Sequence, residues 1–237
     1  MRYKLYFTLE NEKIPIDYRK IIISFIKLSL TEYSKECFEE YYNNKDNIIK
    51  PYAFSVFFRN PEFNGEEITI KEKKFEMNIT IEDYKTAIVI YNAFNDQKFK
   101  KFSINRNSWT LQNIVLLPEK EINENKIIIK FQSPLCVRLR ENEKDYYYSY
   151  GNQKFQETLR INMKKQLKIT DIPPEIVDTF TIRPISAKKV LIKFYEKCIE
   201  CSAGIFELNG DKRLLEYLYK AGMGSKHSAG FGMFQIM

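Results

Sequence analysis

An α+β fold of two tandem ferredoxin-like (RRM-like) domains is what three observations predict. Strand and helix patterns run β-α-β-β-α-β through the first half of the 237 residues. The same order returns in the second half, and Pro118 with the charged stretch "EKEINEN" stands between them. The boundary falls at 119/120, giving units 1–119 and 120–237. No repeat is detectable between the two halves, so what is duplicated is the pattern.

The elements follow in order. "YKLYFTLE" alternates apolar and polar residues, the period of a half-buried strand. "DYRKIIISFIKLSL" places Ile22, Phe25, Ile26 and Ser29 on one helical face, and "TEYSKECFEEYY" continues as a second helical piece capped by Thr31. "YAFSVFFR" is an aromatic-rich strand, "NPEFNG" a turn and "KFEMNITI" a strand. "EDYKTAIVIYNAF" is a helix and "WTLQNIVLL" closes the first unit as a strand. In the second, the strand "KIIIKFQS" precedes a tyrosine-rich connection at Tyr146–Tyr150 and the basic helix "NQKFQETLRINMKKQLK". "TFTIRPIS" and "KKVLIKFYEKCIECSAGIFEL" supply strands, a helix spans Asp211–Ala221, and "FGMFQIM" is the last strand. The order is also that of the RNA-recognition motif, although its aromatic RNP signature is absent from these strands.

Charge points to a polyanionic partner. Lys and Arg number 38 against 31 Asp and Glu, a formal charge of +7. The excess is local: Arg160, Lys164, Lys165, Lys168, Arg183, Lys188, Lys189 and Lys193 face only Asp171, Glu175 and Asp178 in the same span. A basic stripe of this kind is the footprint of phosphate contacts. "MRYKLYFTLE" has strand alternation and charge where a secretory signal would be apolar, and no run approaches the roughly 18 apolar residues of a membrane span. The expectation is a soluble, cytoplasmic protein. Cys198 and Cys201 form a C-x-x-C with no second pair to complete a zinc site, and in a strand they point to opposite faces; buried thiols are expected.

Half of the eight glycines lie in "AGMGSKHSAGFGMF", residues 221–234, between a helix and a strand. Gly222 reads as a left-handed helix C-terminal residue. Gly224, Gly230 and Gly232 would leave backbone N–H groups facing outward as an anion-binding concavity, with Ser225, Lys226 and His227 at its tip. A close-packed turn without a ligand satisfies the same spacing.

This stretch resembles the G-hydrophobic-G-x5-G-hydrophobic-G element of the repeat-associated mysterious proteins, and its lysine-containing middle is similar to the Cas-six branch of CRISPR-associated endoribonucleases. "IPIDYRKIIISFIKLSL", "KPYAFSVFF" and "SPLCVRLR" resemble further segments of that family in the same order. The resemblance implies two ferredoxin-like domains that bind CRISPR repeat RNA and cut precursor CRISPR RNA. No metal or cofactor is expected. The ribose 2′-hydroxyl attacks its own phosphate, leaving 2′,3′-cyclic phosphate and 5′-hydroxyl ends. Homodimerisation and hand-over of product to a CRISPR effector complex are further implications.

For the site, the resemblance places Lys27 and Lys50 at catalytic positions. The family's usual histidine has Asn43 in its place, with Tyr42 beside it. The RNA-binding set is Gly222, Gly224, Ser225, Lys226, His227, Gly230 and Gly232, with Arg183, Lys188 and Lys189 on the basic stripe. Three readings of Asn43 stay open: an inactivating replacement, natural cutting by lysine and tyrosine, or a protein that binds repeats without cutting them.

Overall fold

The computed structural model describes residues 1–42, 49–104 and 106–237. The first half runs β1 (Arg2–Leu9), β2 (Lys13–Pro15), α1 (Tyr18–Tyr33), α2 (Lys35–Tyr42), β3 (Tyr52–Phe58), β4 (Glu62–Asn64), β5 (Glu67–Thr69), β6 (Lys74–Ile81), α3 (Tyr84–Asn95), β7 (Lys101–Ile104) and β8 (Asn107–Leu117). The second runs β9 (Lys126–Phe131), β10 (Arg138–Glu141), β11 (Lys144–Tyr147), α4 (Phe155–Gln166), β12 (Thr181–Phe194), β13 (Lys197–Asn209), α5 (Lys212–Ala221) and β14 (Phe234–Ile236).

Two antiparallel sheets result, in the orders β3-β6-β1-β8-β7 and β12-β13-β9-β14. In each, the first strand lies between the third and fourth strands of its β-α-β-β-α-β unit, which is the ferredoxin-like arrangement. Alternation in β1 turns Tyr3, Leu5, Phe7 and Leu9 toward Ile22, Phe25, Ile26 and Leu30 of α1 and Ala87, Ile90 and Phe94 of α3. Aromatic rings fill the centre: Phe7 stacks on Phe75 at 4.6 Å, and Trp109 stands 5.3 Å from Phe75. The second core places Ile129, Phe131, Phe206 and Leu208 under Leu159 and Met163 of α4 and Leu214, Leu215 and Leu218 of α5. Asp83 and Asp211 cap α3 and α5, each accepting a backbone N–H in the first turn.

Several expectations need correction. Thr31 caps nothing: it lies inside α1, its hydroxyl bonded to Lys27 O. The break comes at Ser34, whose extended backbone ends α1 and whose Oγ accepts from Cys37 N. "NPEFNG" is not only a turn, because Glu62–Asn64 pairs with β5 in a small sheet with β2. The tyrosine-rich connection contains the hairpin β10–β11. "TFTIRPIS" and "KKVLIKF" are one strand, β12, paired with β13 along its length; a register shift between Pro184 and Ser186 interrupts the alternation. Cys201 is buried beside Cys136, but Cys198, on the other face of β13, is exposed. No helix among the described residues is long and apolar enough to cross a membrane.

Candidate active site and RNA interface

The polar side of α1 carries Lys20, Ser24, Lys27 and Thr31, all exposed and spaced as one helical face. α2 folds back against α1 and ends on Tyr42, whose ring stacks on Phe38 at 5.5 Å. The chain returns at Lys50, which Pro51 biases toward an extended backbone, and enters β3 at the fully buried Tyr52. The hydroxyls of Tyr42 and Tyr52 share a hydrogen bond.

Three residues expected at the catalytic centre therefore meet at one ring. Lys50 Nζ stands 4.7 Å and Lys27 Nζ 5.1 Å from the Tyr42 ring centroid. Such contacts fix ammonium groups by the ring's negative face. Burial, and then the Lys27 charge, hold the Lys50 amine below its ordinary range. Burial pushes the Tyr42 phenol up to about 12, so it stays protonated at neutral pH. Asn43, the fourth expected catalytic residue, lies outside the described residues. Tyr52 was not foreseen as part of this site; its place beside Lys50 in "KPYAFS" is the only local signal, and its partner is ten residues away.

The glycine-rich loop is not an outward-facing anion nest. Gly222 N donates to Leu218 O, Gly224 N to Gln166 Oε1, Ser225 N to Cys136 O, Gly230 N to His227 O and Gly232 N to Pro134 O. All four glycines are buried. What they provide is close approach. A Cβ on Gly222 would lie 2.4 Å from Ala53 Cβ, and one on Gly230 2.7 Å from the Phe54 ring, so the loop backbone rests directly on β3. Gly222 does have positive φ, but its ψ of 163° is extended rather than left-handed helical.

His227 is correspondingly a seam residue. It is buried and its Nδ1 donates to Tyr52 O at 2.9 Å. Desolvation, with the Lys50 charge adding, lowers its pKa and keeps it neutral. Arg19 of α1 reaches the same seam, donating to Gly230 O at 3.2 Å. Arg2 of β1 closes the other side, bonded to Tyr219 O and Phe234 O with its guanidinium 3.8 Å over the Tyr219 ring. The loop thus docks the second sheet's helices on β3 and α1, and so holds up the strand that begins at Tyr52, just after Lys50. Ser225 and Lys226 alone of the expected tip are part-exposed.

The basic stripe is partly spent within the protein. Arg160 donates twice to Phe180 O, while Lys164, Lys189 and Lys193 pair with Asp178, Glu200 and Glu66. Arg183 and Lys188 are exposed and in no ion pair among the described residues. Lys188 and Lys189, being consecutive in β12, point to opposite faces, so the stripe is two surfaces.

A family model described as CRISPR associated protein Cas6, C-terminal, matches residues 117–236. The CRISPR-associated endoribonuclease Cas6 1 of Methanocaldococcus jannaschii is 31% identical over 111 residues, covering 45% of this chain and 43% of that protein. The matched stretch therefore spans less than half of the curated relative. Among solved structures, a Cas6-related protein from Pyrococcus furiosus superposes with TM-score 0.88 at 23% identity, covering 100% of this chain and 98% of the other. A RAMP protein described as binding different RNA substrates gives 0.86 at 20% identity, covering 100% and 99%. A Cas6 product complex gives 0.72 at 11% identity, with both chains covered in full. At these identities the structures establish the fold.

Proposed function

The chain belongs to the Cas6 family of CRISPR-associated proteins, and from that footing we propose that it binds CRISPR repeat RNA and cuts precursor CRISPR RNA as a metal-independent endoribonuclease. The observation that carries the reading is the convergence of Lys27 of α1 and Lys50, two residues before β3, on the ring of Tyr42 at the end of α2. Two ammonium groups held at one point suit a phosphorane, whose extra negative charge exists only in the transition state.

In this reading the 2′-hydroxyl attacks the adjacent phosphorus and the bond to O5′ breaks, giving a 2′,3′-cyclic phosphate and a 5′-hydroxyl. The proton leaves O2′ and another is delivered to O5′. Lys27 stabilises charge on the non-bridging oxygens. Lys50, its amine pKa lowered by burial and by Lys27, exchanges a proton near neutrality more readily than an ordinary lysine and serves the leaving O5′. Tyr42, protonated and tied to Tyr52, orients rather than accepts. The Asn43 amide does not titrate in this pH range, so the 2′-hydroxyl lacks a strong base and the cut is slow.

The test is single-turnover cleavage of end-labelled repeat RNA in EDTA. One cut with a cyclic phosphate end, reduced at least tenfold by Lys50→Ala and by Lys27→Ala with RNA affinity retained, supports the proposal. Cleavage that requires a divalent metal, or cleavage indifferent to both lysines, overturns it.

A further inference from the structure

The tip of the β12–β13 hairpin does not end in solvent. Tyr195 N donates to Asp17 Oδ2 at 3.0 Å, and Lys193 pairs with Glu66, so the second half's hairpin is pinned beside the start of α1. Between the tip, α1 and the glycine-rich loop opens a cleft of about 360 Å³. Phe194 and Tyr195 line it edge-on to each other at 4.7 Å, and Phe231 packs behind Phe194 at 5.4 Å. Phe194 and Phe231 are buried, whereas Tyr195 is 47% exposed and offers surface to the cleft.

Cations converge on the same space. Lys20 Nζ lies 4.8 Å from the Tyr195 centroid and Lys226 Nζ 5.2 Å from that of Phe194, with Lys197 on the rim. Among the described residues none of these three lysines makes an ion pair. Two carboxylates also line the cleft. Asp145 Oδ2 is taken up by Arg138 at 3.4 Å and by the Tyr147 hydroxyl, while its Oδ1 is buried without a hydrogen-bond partner among the described residues; the other carboxylate is Glu196. Tyr195 and Lys226, from two different loops, both hold positive φ, 55° and 59°. A bulky residue is rarely found there, and such strain collects at ligand clamps.

An exposed ring beside three unpaired ammonium groups complements a flat base joined to phosphate. We propose that this cleft is a nucleotide subsite: a base stacks on Tyr195 and its flanking phosphates rest on Lys20, Lys197 and Lys226. The occupant is a nucleotide of bound repeat RNA close to the scissile phosphate. Lys20 and Lys27 share a face of α1 seven residues apart, about 10 Å along the axis, so an RNA strand lying on that face reaches both. The assignment of the neighbouring phosphate rests on the cutting centre proposed above; the subsite itself does not.

The experiment uses repeat RNA blocked by a 2′-deoxy substitution at the attacking position, with 5-iodouridine scanned singly along it. The expected result is one position, beside the cut, that photo-cross-links to the peptide containing Phe194 and Tyr195. Tyr195→Asn removes the ring while tolerating positive φ. It is expected to weaken binding of the blocked RNA by about 5- to 150-fold, the range for loss of one base stack, while Tyr195→Phe binds like the parent. Cross-links confined to other peptides, or Tyr195→Asn within twofold of the parent, overturn the subsite. AMP and UMP form the second arm: if either saturates the cleft and abolishes the Tyr195 cross-link without displacing the RNA, the occupant is a free nucleotide and the RNA assignment falls. If Lys27→Ala and Lys50→Ala leave cleavage intact while the cross-link persists, the cutting centre is wrong and the subsite stands.

Discussion

Replacing Gly232 by alanine is expected to destabilise the protein far more than the same change at Gly151. Both glycines have positive φ, 67° and 86°, so both replacements carry the backbone cost of about 1–2 kcal/mol for an L-residue. They differ in what a Cβ meets. At Gly151 nothing lies within 4 Å, whereas at Gly232 the new carbon falls 1.9 Å from Met223 O and 2.9 Å from Met223 C. That contact cannot persist, and the strands of the loop must part. Parting them breaks Met223 N to Gly232 O and strains Gly232 N to Pro134 O, at 3.0 and 2.9 Å. Each bond contributes about 1 kcal/mol, and more if its groups stay buried and unpaired. Gly232→Ala should therefore lose about 2–4 kcal/mol more than Gly151→Ala, a large part of the roughly 5–15 kcal/mol that holds a typical domain. Urea denaturation followed by far-ultraviolet circular dichroism measures both. Equal midpoints at unchanged m-value would refute the view that these glycines serve packing.

Three further outcomes are expected. Asn43→His should raise the single-turnover cleavage rate by about 10²–10⁴-fold, with an inflection near pH 6.5, because it supplies the missing acid–base group; an unchanged rate with intact RNA binding would remove that position from the chemistry. Lys27→Gln should move the alkaline fall of the cleavage rate to higher pH even as it lowers the maximum. The Lys27 charge holds the Lys50 pKa down, so its removal lets Lys50 keep its proton longer; a pH–rate profile that shifts down or stays put contradicts this. His227 is buried with its pKa lowered, so the unfolded chain binds its proton first. Stability is then full above the unfolded value of about 6.5 and falls below it by at most about 1.4 kcal/mol per pH unit. His227→Gln should flatten that slope in urea titrations between pH 5 and 7, whatever its effect on the plateau.

Periodicity was enough for the order of the two main sheets' central strands and their helices, because each of these elements buries one face and writes that face into its own spacing. The short strands β4, β10 and β11 bury too little to do so. Ile22, Phe25 and Ile26 announce α1, and Tyr3, Leu5 and Phe7 announce β1, without reference to the rest of the chain. Lys27, Tyr42 and Lys50 were identifiable through resemblance, but their meeting at one ring depends on α2 folding back at Ser34, which no residue spacing encodes. The glycines are the clearest case of divided authority. Sequence shows that positions 222, 224, 230 and 232 demand bare backbone, and it cannot show whether the space a Cβ would occupy holds a ligand or another part of the protein. Tertiary structure fills it with Ala53, Cys136, Phe54 and Met223, all but the last distant in the chain. It likewise takes His227, polar and flanked by glycine, out of solvent and sets it beneath Tyr52, since burial is a property of what packs above a residue and not of the residue.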